Sequence, residues 1–295
     1  MTLEDKISHA HAVLAAARAE HFTRHQEAAV VVLFSGGNDS TLLAHLFRDE
    51  ATHAAHANTG VGIEQTRQFV RDTCQSWGLP LIERSAPRQD VDGYRALVLD
   101  QGFPGPAHHW KMYQRLKERA LRTIRAELVQ NPRRERVIFL AGRRRDESAR
   151  RGRADAVPEV ERKGSTVWVS PLATWTNADM NAYRRANPDM PRNEVADLIH
   201  MSGECLCGAF AKQAELDEIG YWFPEVAAEL HALEAEVLAT GRHPAWKCRW
   251  GWGADKGTIE RMKADGMTDE AIAEQFAASK SGAMCSSCTL NAVTP

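Results

Sequence analysis

The chain has 295 residues and a mass of 32.8 kDa, enough for about two domains at roughly 150 residues each. Its 43% hydrophobic and 26% charged content is that of a folded globule, which excludes a fibrous or disordered chain. A formal charge of −2 excludes a protein held to nucleic acid by bulk charge alone, while leaving room for a local basic patch.

From the start of the chain, residues 3–20 carry Leu3, Ile7, His11, Leu14 and Ala15 at helical spacing, which predicts a lead-in helix. The early acidic pair in MTLEDKISHA argues against a signal peptide, and no apolar run reaches bilayer length, so a cytoplasmic protein is expected. Residues 29–34 (AVVVLF) form a β-branched apolar run, the mark of a strand buried on both faces. A glycine-rich turn and a helix from Asp39 to about Arg48 follow. Weaker strands are expected at 53–58 and 80–83, on either side of a helix at 63–77. A long helix is expected at 107–129, then strands at 136–141 and 166–170. Strands alternating with helices predict an α/β fold with a mostly parallel sheet and helices on both faces. Beyond residue 211 the pattern turns mainly helical, at 212–240 and 268–279. The expected division is a lead-in at 1–27, a nucleotide-binding domain at 28–200 and a helical Cys-rich region at 201–295.

The sharpest local signal is Ser35-Gly36-Gly37-Asn38-Asp39-Ser40-Thr41, set between a buried strand and a helix. The glycines allow a tight turn and close approach of a ligand. The first helical N–H groups lack internal partners and, with the helix dipole, form an anion site. The loop holds no Lys, so it is not a Walker-type loop.

This string resembles the pyrophosphate loop of the PP-loop ATP pyrophosphatases and their sulfate-reducing relatives. The resemblance implies ATP bound through Ser35–Thr41, with Asp39 helping to hold Mg²⁺, or a sulfonucleotide in its place. Three further segments resemble the phosphoadenosine phosphosulfate (PAPS) reductase family in the same order. Residues 58–70, with Thr59 and Gly60, match its T-G…E-T-x-x-F. Residues 142–151 (GRRRDESARR) match G-x-R-x-x-E-S-x-x-R on Gly142, Arg144, Glu147, Ser148 and Arg151. Arginines at a strand's carboxyl end suit bidentate recognition of phosphate or sulfate. Residues 170–183 match P-L-x-x-W-x-x-x-D-V-x-x-Y through Pro171, Leu172, Trp175, Asp179 and Tyr183, with Met180 for the usual Val. Lys117 matches a family Leu-Lys pair and is expected to meet a phosphate. The implied fold is an adenine-nucleotide α-hydrolase-like sandwich.

The chain departs from both reductase types. The string E-C-G-[IL]-H, whose Cys attacks sulfate sulfur in the simple PAPS reductases, does not occur. The Cys-Cys pair of the adenylylsulfate reductases is also missing from HHWKMYQRLK, which has Met112 and Tyr113. Six cysteines in a reducing compartment point instead to metal ligands or reactive thiols. Cys74 reads as a core residue. Cys205, Cys207, Cys248, Cys285 and Cys288 supply enough thiolates for a [4Fe–4S] cluster, with zinc as the alternative. The preferred ligands are Cys205, Cys248, Cys285 and Cys288, which leaves Cys207 for a redox or sulfur-carrying role; Cys205 and Cys207 are interchangeable at this stage. Trp246, Trp250 and Trp252, interleaved with Arg242, His243, Lys247 and Arg249, suit either stacking on nucleobases or shielding a cluster.

The resemblance to PP-loop enzymes that thiolate nucleic acids implies an ATP-dependent sulfurtransferase. Asp39, Arg144 and Cys207 are its expected catalytic residues. The expected partners are an adenine nucleotide, a nucleic-acid or small-molecule sulfur acceptor and a sulfur-donor protein of the cysteine desulfurase kind, with no membrane. The competing readings are a reductase of PAPS or adenylylsulfate, and a non-catalytic nucleotide-binding subunit.

Overall fold

The protein is described from a computed structural model covering residues 1–147, 157–212 and 214–272. Its centre is a six-stranded sheet in the order β3-β2-β1-β4-β6-β5. The strands are β1 (Gln26–Leu33), β2 (His53–Ala57), β3 (Leu81–Arg84), β4 (Glu135–Leu140), β5 (Val160–Lys163) and β6 (Thr166–Val169). Every neighbouring pair is parallel except the edge hairpin β5–β6. β1 begins before the apolar run because Gln26 and Glu27 pair with Glu135 and Arg136 of β4. The β5 hairpin gives no apolar signal: VERK is polar and lies on the sheet's rim.

The two faces of β1 divide the core. Val30 and Val32 join α1 (Leu3–His21), α2 (Asn38–Leu46), α3 (Glu64–Ser76) and α8 (Asn177–Ala186) on one side. Ala29 and Val31 meet Leu121 and Ile124 of α7 (Arg119–Leu128) on the other. α1 forms as expected, but Ala15 faces solvent, and Ala10, Val13, Leu14 and Ala17 are the buried residues. A Thr2–Asp5 capping box starts it.

The expected long helix at 107–129 is broken. After α4 (Gln89–Asp92) and α5 (Tyr94–Gln101), it opens with a 3₁₀ turn at Pro106–His108. It continues as α6 (His109–Met112), passes through a π-helical stretch, Tyr113–Glu118, and resumes as α7. Such π segments often mark functional positions. The expected helix at 212–240 is two, α10 (Ala214–Trp222) and α11 (Pro224–Ala239), because Pro224 starts a new helix at its first position. α9 (Glu194–Leu198) and α12 (Lys256–Ala264) complete the set. The helical pattern at 268–279 falls mostly outside the described residues.

Residues beyond 200 pack into a third apolar cluster with Val61, Ile63, Tyr94, Leu97, Phe103 and Leu116, so this core is continuous across residue 200. Among the described residues no helix is long and apolar enough to cross a membrane.

Candidate active site

The strand order reverses at β1, whose neighbours are β2 and β4. A crevice at the carboxyl ends of such strands is where open α/β sheets hold ligands. Here β1 delivers Ser35–Thr41 and β4 delivers 141–147. Gly36 adopts φ +76°, and a Cβ there would lie 2.7 Å from Thr66 Cγ2, so the turn requires glycine. Ser40 and Thr41 hydroxyls both donate to the Gly37 carbonyl at 2.9 Å, and the Ser35 N–H donates to Ser40 Oγ at 3.2 Å. No side chain caps α2, so its first N–H groups face the cavity.

That cavity, of about 430 Å³, is lined by Ser35, Gly37, Asn38, Asp39, Ser40, Gly142 and Arg144, and by Lys117, Tyr113, Arg143 and His200. The structure thus brings together the loop, the Gly-Arg segment and the lysine. Gly142 rests against the Asp39 backbone. Arg144 is 5% exposed and turned inward: Nε donates to Asp39 Oδ2 at 2.7 Å, and its terminal nitrogens donate to the Trp175 carbonyl and Asn177 Oδ1. The Pro-Leu…Trp segment therefore holds Arg144, which in turn fixes Asp39. Asp179 caps α8 with Thr176 and pairs with Lys6 at 3.1 Å, a structural task. Glu147 ends a 3₁₀ turn, Arg145–Glu147; Ser148 and Arg151 lie outside the described residues.

Thr59 and Gly60 do not line this cavity. The Thr59 N–H donates to Glu204 Oε1 at 2.9 Å, and its hydroxyl donates to the Glu204 carbonyl at 2.6 Å. Glu204 is fully buried and also meets His56 Nε2 at 2.9 Å and Arg67 Nε at 3.7 Å. Two backbone bonds add to this, Ile63 N–H to Gly203 and Leu206 N–H to Val61. Gly62 admits the contact, since a Cβ there would lie 2.5 Å from the Glu204 carbonyl oxygen. The Thr-Gly segment is the anchor of the cysteine loop. Glu204, His56 and Arg67 were not among the expected site residues. The readable signal was a lone acid within the Gly- and Cys-rich string SGECLCG.

Cys205 and Cys207 line a second cavity of about 260 Å³ with Met112, Tyr113, Lys117, Met201 and Trp250. Tyr113, Lys117 and Met201 belong to both cavities, so Lys117 stands in the wall between phosphate loop and thiols. Its ammonium makes no hydrogen bond or ion pair among the described residues. A hydrogen bond from Cys207 pulls the Cys205 thiol down to about 6 against its burial, with help from the Lys117 charge. The Cys207 thiol moves upward for the same reason, its bond to Cys205, and through burial. Burial opposes the charged form of Lys117, but the negative charge of Cys205 and Glu204 prevails and raises its pKa.

Cys248 packs in the helical core, with Sγ 3.4 Å from the Pro244 carbonyl, and burial raises its pKa. Cys285 and Cys288 lie outside the described residues. Among the described residues no three His, Cys, Asp or Glu side chains gather as a metal site. Cys74 is 1% exposed on α3 and its thiol is pushed up to about 12 by burial, as suits a core residue. The Trp-rich stretch does not present stacking faces. Trp250 and Trp252 are buried and donate to the carbonyls of Leu206 and Phe103, while Trp246 packs edge-on against Trp252. The Trp250 and Trp252 indoles are inward and support the cysteine loop and the turn at Phe103, while Trp246 stays partly exposed under Lys263.

The chain is similar to several proteins of known kind. It is 24% identical over 216 residues to an adenosine 5'-phosphosulfate reductase of Chelativorans sp. (strain BNC1), an alignment covering 71% of this chain and 82% of that one. Among solved structures, a PAPS reductase from Candida auris matches with a TM-score of 0.44 and 18% identity, over 64% of this chain and 84% of its own. The U34-tRNA thiolase NcsA from Methanococcus maripaludis, with its [4Fe-4S] cluster, matches with a TM-score of 0.38 and 12% identity, over 79% and 80%. The family model for the phosphoadenosine phosphosulfate reductase domain matches residues 29–197, more than half of the chain, and the protein therefore belongs to that family.

Proposed function

We propose that this protein is an ATP-dependent sulfurtransferase working across the Lys117 wall. The observation that carries the reading is that wall: a phosphate-loop cavity and a two-thiol cavity share Tyr113, Lys117 and Met201. ATP phosphates rest on the α2 N-terminus and Ser35–Ser40. Asp39, with Oδ2 on Arg144, leaves Oδ1 for a Mg²⁺, which would neutralise phosphate charge. An acceptor oxygen bonds to the α-phosphorus as the bond to the β-phosphate breaks, and pyrophosphate leaves. A sulfur nucleophile then forms its bond to the activated atom, and AMP departs with the oxygen. Lys117 and Arg143 stabilise the negative charge that develops at the phosphates. Cys205 and Cys207 are placed to hand sulfur in, received from a donor protein of the cysteine desulfurase kind. Cys248, Cys285 and Cys288, joined by one of this pair, would supply the four thiolates of an iron–sulfur cluster, or of zinc.

A second reading is favoured by the Chelativorans relative, whose name is that of a reductase. In it the same cavity holds a sulfonucleotide. A cysteine thiolate bonds to the sulfur, the sulfur–oxygen bond to the nucleotide breaks, and a dithiol later releases sulfite. Anaerobic protein incubated with ATP and acceptor is expected to release pyrophosphate. With PAPS or adenylylsulfate plus dithiol it is expected to release no sulfite. Sulfite without pyrophosphate would overturn the first reading in favour of the second. Neither product would overturn both and leave the non-catalytic subunit. Brown absorbance bleached by dithionite is the expected mark of the cluster; colourless protein with stoichiometric zinc would sink it.

A further inference from the structure

The phosphate-loop cavity continues past Arg143 and Trp168. A groove of about 550 Å³ adjoins it, sharing Tyr113, Leu121, Arg143 and Trp168. α7 packs chiefly on β2 and β3 and meets β1 and β4 through Leu121 and Ile124, while Trp168 of β6 is only partly buried against that cluster, which leaves the groove beside it. β6 sends Val167 and Val169 into the opposite core, and its Trp168 remains half-buried beside the groove. Arg143 lies over the Trp168 ring at 5.5 Å and donates to Ser170 Oγ at 3.2 Å.

The lining is strongly one-sided in charge. Arg122, Arg125, Arg143 and Lys163 face one carboxylate, Glu118. Arg122 pairs with Glu118 at 3.3 Å, and Lys163 with Glu161 at 3.0 Å. Both pairs are largely exposed and so are weak, easily exchanged for a phosphate. Arg125 donates to Ser165 Oγ at 3.3 Å, and its buried Nε has no partner. A chain of net charge −2 thus gathers four cations along one groove that leads to the phosphate loop. Tyr113, 39% exposed, lines groove, loop cavity and thiol cavity alike, and offers an aromatic face at their meeting point.

We propose that this groove seats a single strand of nucleic acid, the sulfur acceptor of the function proposed above, on which this inference rests. The phosphodiester backbone lies along Lys163, Arg125 and Arg122 towards Arg143, and one nucleotide reaches the loop with its base against Tyr113. Spaced cations beside an aromatic face are the chemistry that holds single strands. Groove, loop cavity and thiol cavity meet at Tyr113, and Lys117 lines the last two, so a nucleotide at the loop has the thiols within the same joined set of cavities.

The test is fluorescence anisotropy with labelled 20-nucleotide single-stranded DNA and RNA, using wild-type protein and the variant Arg125→Glu/Lys163→Glu. The wild type is expected to bind one of the two strands. The double reversal is expected to weaken binding at least tenfold and to flatten the slope of log affinity against log salt by about 1.4, for two lost phosphate contacts. ATP binding by calorimetry and the melting temperature of the variant are expected to stay at wild-type values, which separates groove from fold. No binding by the wild type, or equal binding by the variant, overturns the proposal. So does a loss of dimer mass by light scattering in the variant, which would assign the groove to a second copy of the chain. Variant-sensitive strand binding without any pyrophosphate release would retain the groove and refute the sulfurtransferase reading.

Discussion

The phosphate loop and the cysteine loop stand on opposite walls of Lys117 and are anchored in different ways. Ser35–Thr41 combines local bonds with two longer ties, from Asn193 Nδ2 to the Gly36 carbonyl at 2.9 Å and from Arg144 Nε to Asp39 at 2.7 Å. Its hydroxyls bond to the carbonyl of Gly37, three and four residues away, and a buried strand and a helix fix its ends. The cysteine loop is held at long range. Glu204 reaches Thr59 and His56, 145 and 148 residues earlier, and no regular element contains it. A local anchor follows from the order of residues; a long-range buried charge works only once the rest of the core has closed. The first spreads its anchoring over local and distant bonds, while the second concentrates its risk in one side chain.

Glu204→Ala should have the largest effect. It leaves His56, Arg67 and the Thr59 N–H facing a buried gap, and a broken buried pair costs about 3–5 kcal/mol. Urea denaturation should show that loss, and thiol-labelling should find Cys205 and Cys207 exposed. Glu204→Gln, which keeps the shape, should lose less. Stability unchanged in Glu204→Ala would mean that the cysteine loop is held by something else. Gly36→Ala should come next, at about 3 kcal/mol, since it adds left-handed strain to a 2.7 Å contact with Thr66. Nucleotide binding by calorimetry should fall with it, while the thiol-labelling pattern should not change.

Lys117→Ala should separate the two loops without unfolding either. Its ammonium has no hydrogen-bond or ion-pair partner among the described residues, so the variant loses only the longer-range attraction to Cys205 and Glu204 and the melting temperature should fall slightly, without unfolding. Turnover should drop about tenfold, equivalent to about 1.4 kcal/mol of transition-state stabilisation. Full activity in this variant would break the shared-wall reading. The smallest effect belongs to Asp179→Asn, which lines neither cavity, at about 1 kcal/mol for a weakened cap. Burial would raise the Asp179 carboxyl, but bonds from Thr176 and Lys6 hold it below its ordinary 3.8. Its contribution is therefore complete above about 3.8 and is lost as pH falls through the lower folded value. Acid titration of stability should lose that component in the variant and be unchanged near neutrality in shape.

Much of the nucleotide side was legible in advance. The β-branched run at 30–34, the glycine pair and the alternating helices are local patterns, and they placed β1, α2 and β4 within a few residues. The site was less legible where side chains choose between partners. Arg144 reads as a phosphate ligand by its motif, yet its guanidinium is spent on Asp39, Trp175 and Asn177. Thr59 reads as a ligand contact and instead secures the cysteine loop. The tryptophans read equally as stacking faces or shields, and the structure buries Trp250 and Trp252 while leaving Trp246 partly exposed.

The sequence by itself determined the parallel α/β sheet, the glycine-rich turn at the end of β1 and the family, because each depends on residues close together in the chain or on motifs in fixed order. Only the tertiary structure decided that the loop cavity and the thiol cavity share Lys117, that Glu204 ties β2 to the cysteine loop, and that the basic groove lies on the uncovered face of β6. Those arrangements join residues up to 148 positions apart, and the physical reason is packing. Which helix covers which strand determines what is left open, and no local pattern encodes that.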